Sequence, residues 1–531
     1  MGPNRRPLKP LLRAFPFVPL ALGVSFLSSL RAESFKILGA RPLGMGGAFV
    51  AVAEDSLAQY WNPAGIAGQK MFDLETPVNL RAELTGGILQ DINTVGDLAD
   101  SFSKVKDAQT NGTGLDVEEM SSLFTTVKTL DRLDDPGKGI LLEAQGGLGL
   151  RIMRLALSVN NFTSAGGVPF VDTANIGLGQ ASGASGVSFS GADTADPADA
   201  ALLAARNDAQ AAIDTVGYGN LQDLVGAAGL AAGGITNSQE LANALVNAGQ
   251  SQGLSAAQIA QAAADMKDSA ASAKPIIESA ASGNPYTQNA SNVTLRGISM
   301  TEVAVGYGHR FFFDGLTWGA NVKALVGVVG FFREEFLKDS LSGSKTLDHF
   351  NNNTKQSIQP GLDLGLMYDK REQWRTKFGV TAKNVNNPRF SQPAAAGTEP
   401  KYRVQPQVRA GLAFYPFKRK FWVIATDLDL TNNITPIPGF SSRMLGLGTE
   451  VNVVNSNLFN LAVRAGAMRN LAEKDSKLTY TGGVELKLLH FFASAAGALS
   501  SQREEIKGLS SSDAQKIPQN VQAGVSLGLN W

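Results

Sequence analysis

Apolar and polar residues alternate with a period of two along most of this chain, a period that only strands keep. From Phe72 one parity reads Phe72, Leu74, Thr76, Val78, Leu80, Ala82 and Leu84. The other reads Asp73, Glu75, Pro77, Asn79, Arg81 and Glu83. The same two-sided pattern returns over 358–369, 374–383, 404–414 and 477–488, and the chain closes on Val521, Ala523, Val525, Leu527, Leu529 and Trp531. These runs predict about 14 strands, near 72–86, 139–151, 153–162, 291–311, 315–333, 355–369, 374–388, 401–416, 420–431, 441–453, 458–468, 476–488, 490–501 and 518–531. Each is long enough for the roughly 9–11 residues with which a tilted strand crosses a bilayer.

The connections carry a second, independent pattern. The even-numbered ones are short, at 152, 312–314, 370–373, 417–419, 454–457 and 489. The odd-numbered ones are mostly longer, at 87–138, 163–290, 334–354, 389–400, 432–440, 469–475 and 502–517. Outer-membrane barrels keep this alternation of short periplasmic turns and long external loops, whereas a soluble sandwich has no reason to. The expected fold class is therefore an all-β transmembrane barrel of about 14 antiparallel strands. Its lumen-facing polar residues are Arg296, Glu302, Lys323, Asp363, Lys377, Arg409, Asp427, Asp429, Glu450, Arg464 and Glu485, all on the less apolar parity. In a wet lumen such mixed charges pair and stay solvated. Trp318, Tyr368, Trp374, Tyr415 and Trp422 lie at strand ends and are the expected interfacial girdle. A last amphipathic strand ending on the aromatic Trp531 resembles the signal read by barrel-assembly machinery, where Phe is usual.

The first residues have a different character. Arg5, Arg6, Lys9 and Arg13 precede an apolar run over 14–27, and Ala32 closes a cleavage site, so 1–32 is expected to be a signal peptide. Without the five basic residues of that leader, 42 basic face 47 acidic side chains, a weakly acidic balance that argues against nucleic acid as partner. The absence of cysteine excludes disulfides and thiolate metal sites. No later stretch approaches the roughly 18 apolar residues of a membrane helix.

Two odd connections are large enough to carry structure of their own. Residues 92–136 read as a helical hairpin, and the Ala-, Gly-, Asp- and Gln-rich residues 175–289 as several short helices. By parity both lie outside the cell. Being poor in large apolar residues, they are expected to form a loosely packed helical cap.

The catalytic inventory is thin. His309, His349 and His490 are the only histidines, and Ser299 stands on the parity of His309 but about 33 Å up the strand. No nucleophile–base–acid spacing follows, so an enzyme is not expected. "GLGLR" at 147–151 and "GLGTE" at 446–450 read as strand glycines, not phosphate loops, because no helix follows them. Scattered acids offer no metal site, and no cofactor is expected.

One stretch remains, "RPLGMGGAFVAVAEDSLAQYWNPAGIA" at 41–67. Gly44, Met45, Gly46, Gly47 and Ala48, then Asn62, Pro63, Ala64 and Gly65, resemble the N-terminal signature of the long-chain fatty-acid transporter (FadL-type) superfamily of outer-membrane barrels, which includes PorV-type proteins of secretion systems. "VTLRGISMTEVAVGYGHRF" at 293–311, with "LTWGANVKALVGVVGFF", "LDLGLMYD" and "KFGVTAKNVNNPRF", resembles the conjugal-transfer TraF-type family, which carries an Ala-rich insertion at the same place. The resemblance implies that 33–70 folds as a hatch inside a barrel formed by 71–531. Gly44, Gly46 and Gly47 would permit close packing, Asn62, Pro63 and Ala64 a turn, and Phe49, Tyr60 and Trp61 anchorage to the inner wall. It further implies an outer-membrane location with the lipid bilayer and the assembly machinery as partners. The expected function is uptake of small hydrophobic molecules. The alternative is a scaffold that binds envelope or secretion proteins of a conjugation or secretion apparatus.

Overall fold

A computed structural model describes residues 31–68, 71–89, 91, 114–133, 135–172, 187–281, 290–335, 352–417, 421–456, 458–508 and 511–531. Fourteen strands close into one antiparallel barrel. In chain order they are β1 (Phe72–Thr85), β2 (Gly139–Ile152), β3 (Leu155–Phe170), β4 (Asn292–Arg310), β5 (Leu316–Glu335), β6 (Thr354–Lys370) and β7 (Thr376–Lys383). There follow β8 (Gln407–Phe414), β9 (Trp422–Asp429), β10 (Met444–Asn455), β11 (Phe459–Asn470), β12 (Thr479–Leu488), β13 (Phe491–Ser500) and β14 (Asn520–Asn530). Each pairs with its neighbours in sequence, and β14 pairs with β1 to close the ring, with Val78 opposite Val525.

The two parities of each strand fall on opposite sides of the wall. Val78, Leu80, Leu157, Val305, Val322, Leu366, Val380, Leu447, Val484 and Leu527 are exposed on the outside. Glu75, Glu143, Glu302, Lys323, Asp363, Arg409, Asp427 and Arg464 are buried inside. A water-soluble sheet would hide the apolar parity; this wall shows it to its surroundings, as a bilayer-spanning barrel must. Exposed aromatics gather at the short-turn end: Phe312, Phe313, Trp374, Phe417, Phe491 and Trp531. Tyr415 is not among them. It is buried on the inner side with the Arg371 guanidinium over its ring, because it continues the inward parity of β8 past the strand end.

Strand lengths differ around the wall. β4, β5 and β6 run for 19, 20 and 17 residues, whereas β7, β8 and β9 run for 8 each. The expected extensions 384–388 and 401–406 therefore leave the wall. Asn384 and Asn387 take left-handed φ of 53° and 54°, which breaks the pleat, and a small hairpin pairs Arg389 with Arg403 and Phe390 with Tyr402. Other short ladders join Arg31–Glu33 in parallel to Asn432–Ile434, Asn433–Ile434 to Ser441–Ser442, and Arg503–Gly508 to Ser511–Pro518. Arg31 and Ala32, expected in the leader, thus pair with a long connection.

The large insertions form helices α1 (Val117–Leu133), α2 (Ala200–Val216), α3 (Tyr218–Val225), α4 (Ala227–Ala232), α5 (Ser238–Ser251) and α6 (Ala256–Ala281). The first arm of the expected 92–136 hairpin lies outside the described residues. α1 starts with a capping box, in which Asp116 Oδ1 accepts from Glu119 N–H at 2.8 Å and Glu119 Oε2 from Asp116 N–H at 3.1 Å. Asp199 and Asn237 cap α2 and α5. Contrary to the expected loose cap, the helices share a dry core that includes Phe124, Leu202, Ile213, Leu245, Ile259, Met266 and Ile277. The second insertion supplies most of this core, α1 docks onto it with Val117, Met120, Leu123, Phe124 and Val127, and Ala209, Ala212, Ala263, Ala270 and Ala273 let the helices approach closely. A smaller cluster of Ile88, Leu130, Leu133 and Val171 joins α1 to the barrel rim.

Candidate functional site

Residues 34–68 lie inside the barrel, nearly all of them buried. Two short helical turns, Ala40–Gly44 and Ala58–Trp61, and a 3-10 turn, Pro63–Ala67, are packed around the segment's own aromatic core. Phe35 and Phe49 lie 5.1 and 5.7 Å from Trp61 between ring centres. Trp61 Nε1–H donates to Leu38 O at 2.9 Å, and Tyr60 O–H to Lys36 O at 2.7 Å. Burial pushes the Tyr60 phenol well above its ordinary pKa, so it remains a neutral donor. The aromatics thus serve mainly to hold the segment together. Among the described residues, Tyr60 is the segment aromatic that stacks on one of the wall, Phe162, at 5.0 Å.

Besides apolar contacts with wall residues such as Ala156, Ala413 and Val423, the attachment to the wall is built from polar groups. Asp427 Oδ2 accepts the backbone N–H groups of Phe49 and Val50, both at 2.8 Å. Asn79 Oδ1 accepts Gly39 N–H at 2.6 Å, Asp73 Oδ1 accepts Ser56 N–H at 2.9 Å, and Thr481 Oγ1 accepts Gly46 N–H at 3.0 Å. Asn62 caps the 3-10 turn by accepting Ala64 N–H at 3.1 Å, while its amide donates to Val50 O and to Leu366 O of the wall at 3.1 Å each. Pro63 starts that turn, where a missing N–H costs nothing.

The expected lumen charges resolve into separate groups, most of them locked to the internal segment. Arg41 donates to both Glu450 oxygens at 2.7 and 2.8 Å and to Asp55 at 3.0 Å. Arg464 joins the same Glu450 at 2.6 Å and Glu485 at 2.5 Å. Arg409 lies 3.7 Å from Asp427 and 3.5 Å from Asp429, its guanidinium over the Phe35 and Trp61 rings. Glu54 binds Lys377 at 2.6 Å. Lys323 bridges Asp363 at 2.9 Å and Glu302 at 3.3 Å. Arg296 stands apart, half-buried on the outer half of β4. These charges pair, as expected from the sequence, but several of their partners belong to the internal segment, and Glu450, Arg464 and Glu485 also border a cavity toward the short turns.

Sequence reasoning missed the partners on the segment itself, Lys36, Arg41, Glu54 and Asp55. It also passed over the glycines of the wall. Gly308, Gly319 and Gly365 stand opposite one another on three adjacent strands, as do Gly379 with Gly411 and Gly448 with Gly466 on neighbouring pairs. A Cβ on Gly319 would lie 2.1 Å from Pro63 O, so only glycine lets the segment seat there. Gly446 and Gly448 of "GLGTE" belong to the same seat, under Gly46 and Met45. Gly46 itself has φ +64°, which a side chain would strain. The legible signal was glycine recurring on the inward parity of neighbouring strands.

Two spaces flank the internal segment. Toward the short turns, a cavity of about 520 Å³ is lined by Arg41, Glu54, Tyr415, Glu450, Lys487 and His490 among others. Toward the long connections, a space of about 20 Å³ lies between Tyr60, Phe162, Ile298, Met300, Lys383 and Val404. There Lys383 Nζ sits 3.1 Å above the centre of the Tyr60 ring. Beside it, Ile298, Met300, Leu325, Val329, Phe390 and Val404 form an apolar cluster on the lumenal side of the wall.

The remaining expected positions are peripheral. His309 lies within 3.1 Å of both Arg154 and Tyr307 at the short-turn end, and His490 stacks on Trp531 at 4.7 Å. His349 is outside the described residues. Among the described residues no group of three acids or histidines could hold a metal ion. Trp531 packs against Phe72 at 5.0 Å, where the first and last strands meet.

Comparison with known proteins gives one family. Its model, described as "F plasmid transfer operon, TraF, protein", matches residues 59–429. No curated protein matches the chain. Among solved structures, the P. putida toluene transporter TodX is similar at TM-score 0.41 and 11% identity, over 94% of this chain and 99% of that one. The CymD monoaromatic hydrocarbon channel gives the same four values, 0.41, 11%, 94% and 99%. CdiB from Escherichia coli is similar at TM-score 0.30 and 6% identity, over 74% of this chain and 53% of its own.

Proposed function

The chain belongs to the TraF family of the F plasmid transfer operon, and from that starting point we propose that it is an outer-membrane barrel admitting small hydrophobic molecules past an internal plug, residues 34–68. The observation that carries this reading is the apolar cluster of Ile298, Met300, Leu325 and Val329 on the inward face of β4 and β5. A barrel that only conducts ions or holds its shape gains nothing from apolar residues in its lumen, where polar ones are the rule. An apolar solute leaving water gains there about 25 cal/mol per Å² buried. The plug blocks the way onward, so passage requires it to shift. Its hold on the wall combines hydrogen bonds and ion pairs with an apolar contact against Ala156, Phe162, Ala413, Val423 and Ala425, and the polar part is made of separable bonds. The apolar outer face and closed ring support the location, and the Trp531 end is the feature through which assembly machinery would recognise the chain.

The test is uptake of radiolabelled toluene into proteoliposomes. The purified protein should raise uptake above empty vesicles, and removing residues 34–67 should change its rate. Uptake equal to that of empty vesicles, with no apolar molecule copurifying by mass spectrometry, ends this reading.

A second reading is favoured by the cap. A helical body with its own core exceeds what a channel rim needs, and it suits a scaffold that binds another envelope protein. Photo-crosslinkers placed across residues 187–281 should then trap a protein; their failure to do so counts against it.

A further inference from the structure

The apolar pocket beside the plug is filled by the protein's own side chain. Phe390 comes from the connection between β7 and β8, on the long-connection side, and its ring is fully buried among Ile298, Met300, Leu325, Val329 and Val404. The wall has a notch for it. A Cβ on Gly327 would lie 2.4 Å from Phe390 Cδ1, so glycine at that place admits the ring flat against β5. With the ring in place, the neighbouring space between Ile298, Met300, Val404 and the plug's Tyr60 amounts to only about 20 Å³. That is room for about one water molecule and no organic ligand, whereas an apolar cavity of about 150 Å³ takes a benzene.

We propose that this pocket is a binding site for an apolar molecule the size of a single ring, that Phe390 occupies it as an internal stand-in, and that the segment 384–406 swings outward when a ligand takes its place. The proposal rests on the hydrophobic-passage reading above and deepens it.

The segment is held in a manner that allows this movement. Its own ladder is two residue pairs long. Its base is anchored, with Asn384 N–H donating to Asp363 at 2.9 Å, Lys323 to Asn384 Oδ1 at 2.8 Å, Val385 N–H to Leu362 O at 2.9 Å, Asn386 amide to Pro360 O at 2.8 Å and Leu362 N–H to Asn386 Oδ1 at 3.0 Å. The arm beyond it that carries Phe390 is tied to the wall by Ser391 N–H donating to Ser357 Oγ at 3.2 Å. The β4–β5 ladder beneath it runs unbroken from Asn292 to Arg310. Of the two surfaces around the ring, the segment is therefore the one that yields. Its base has the left-handed residues Asn384 and Asn387, and Pro388 and Pro393 stiffen the arm that carries Phe390. Opening removes an apolar ring from an apolar pocket, and an incoming ring restores what is lost.

The chain has no cysteine, so an engineered pair reads cleanly. In the S357C/S391C protein, oxidation should fix the segment inward and lower toluene uptake at least tenfold toward that of empty vesicles, and a reductant should restore it. Heat-modifiable mobility on gels confirms that the barrel is folded in both states. If wild type transports and the oxidised pair transports equally well, the proposal is overturned while the passage reading survives. If wild type shows no uptake, the passage reading fails, and wild-type crystals soaked in iodobenzene decide the site. Iodine density in the Gly327 notch with Phe390 displaced supports it; Phe390 in place with iodine absent from the notch overturns it.

Discussion

At the residue scale, the hold of wall on plug concentrates on a few groups that have no substitute. Asp427 accepts two backbone N–H groups while facing Arg409, all of them buried. Asp427→Leu keeps the bulk but leaves those donors and the guanidinium without that acceptor, at a cost of about 2–5 kcal/mol to plug seating. In planar bilayers this variant should open to ions far more often than wild type, and Asp427→Asn, which keeps one oxygen, should be intermediate. Gly319→Ala tests the seat by volume alone. It should expose residues 34–68 to protease, whereas Gly482→Ala, whose Cβ meets nothing nearer than 3.9 Å, should not. Equal protection of both would show that the plug does not depend on close approach at Gly319. Little of this was legible beforehand. The inward parity announced Glu450, Arg464, Arg409 and Asp427 as lumen residues. That Arg41 and the Phe49 amide are their partners depends on how a segment outside any ladder is placed, and no periodicity encodes that.

At the element scale, period two and connection parity placed all fourteen strands, because a wall with lipid on one side and polar groups on the other must alternate. They failed where the chain leaves the wall. Residues 384–388, Asn-Val-Asn-Asn-Pro, extend the alternation of β7 by position but have turn composition, and two of the asparagines take the left-handed conformation that leads the chain out of the wall. The cap packs more tightly than expected for another reason: alanines such as Ala209, Ala212, Ala263, Ala270 and Ala273 fill much of the core it shares with α1, so a composition poor in large side chains still closes up. Leu245 is fully buried in that shared core. Leu245→Asp buries a charge without a partner and should unfold the cap while sparing the barrel. Loss of helical circular dichroism and rapid proteolysis within 187–281, with heat-modifiable mobility unchanged, is the expected result. Loss of both together would mean that the barrel needs the cap to fold.

For the whole molecule, the plug and the inward segment at Phe390 stand in series along one lumen. Wild type should accordingly be nearly silent in planar bilayers, and the form lacking residues 34–67 should give stepwise openings that a cation or an anion can carry. Silence in both would show that the 384–406 segment suffices to block the lumen when the plug is gone.

The plug also straddles the line along which the ring is joined. Gly39 N–H bonds Asn79 of the first strand at 2.6 Å, and the next amide, Ala40 N–H, bonds Ser526 of the last at 3.1 Å, 486 residues further along the chain. Bringing together two ends so far apart is the entropically dearest pairing in the fold and the slowest to form. A segment already docked on the first strand offers the last one a landing strip, so the same residues that stop the finished pore shorten the search by which its edges find each other.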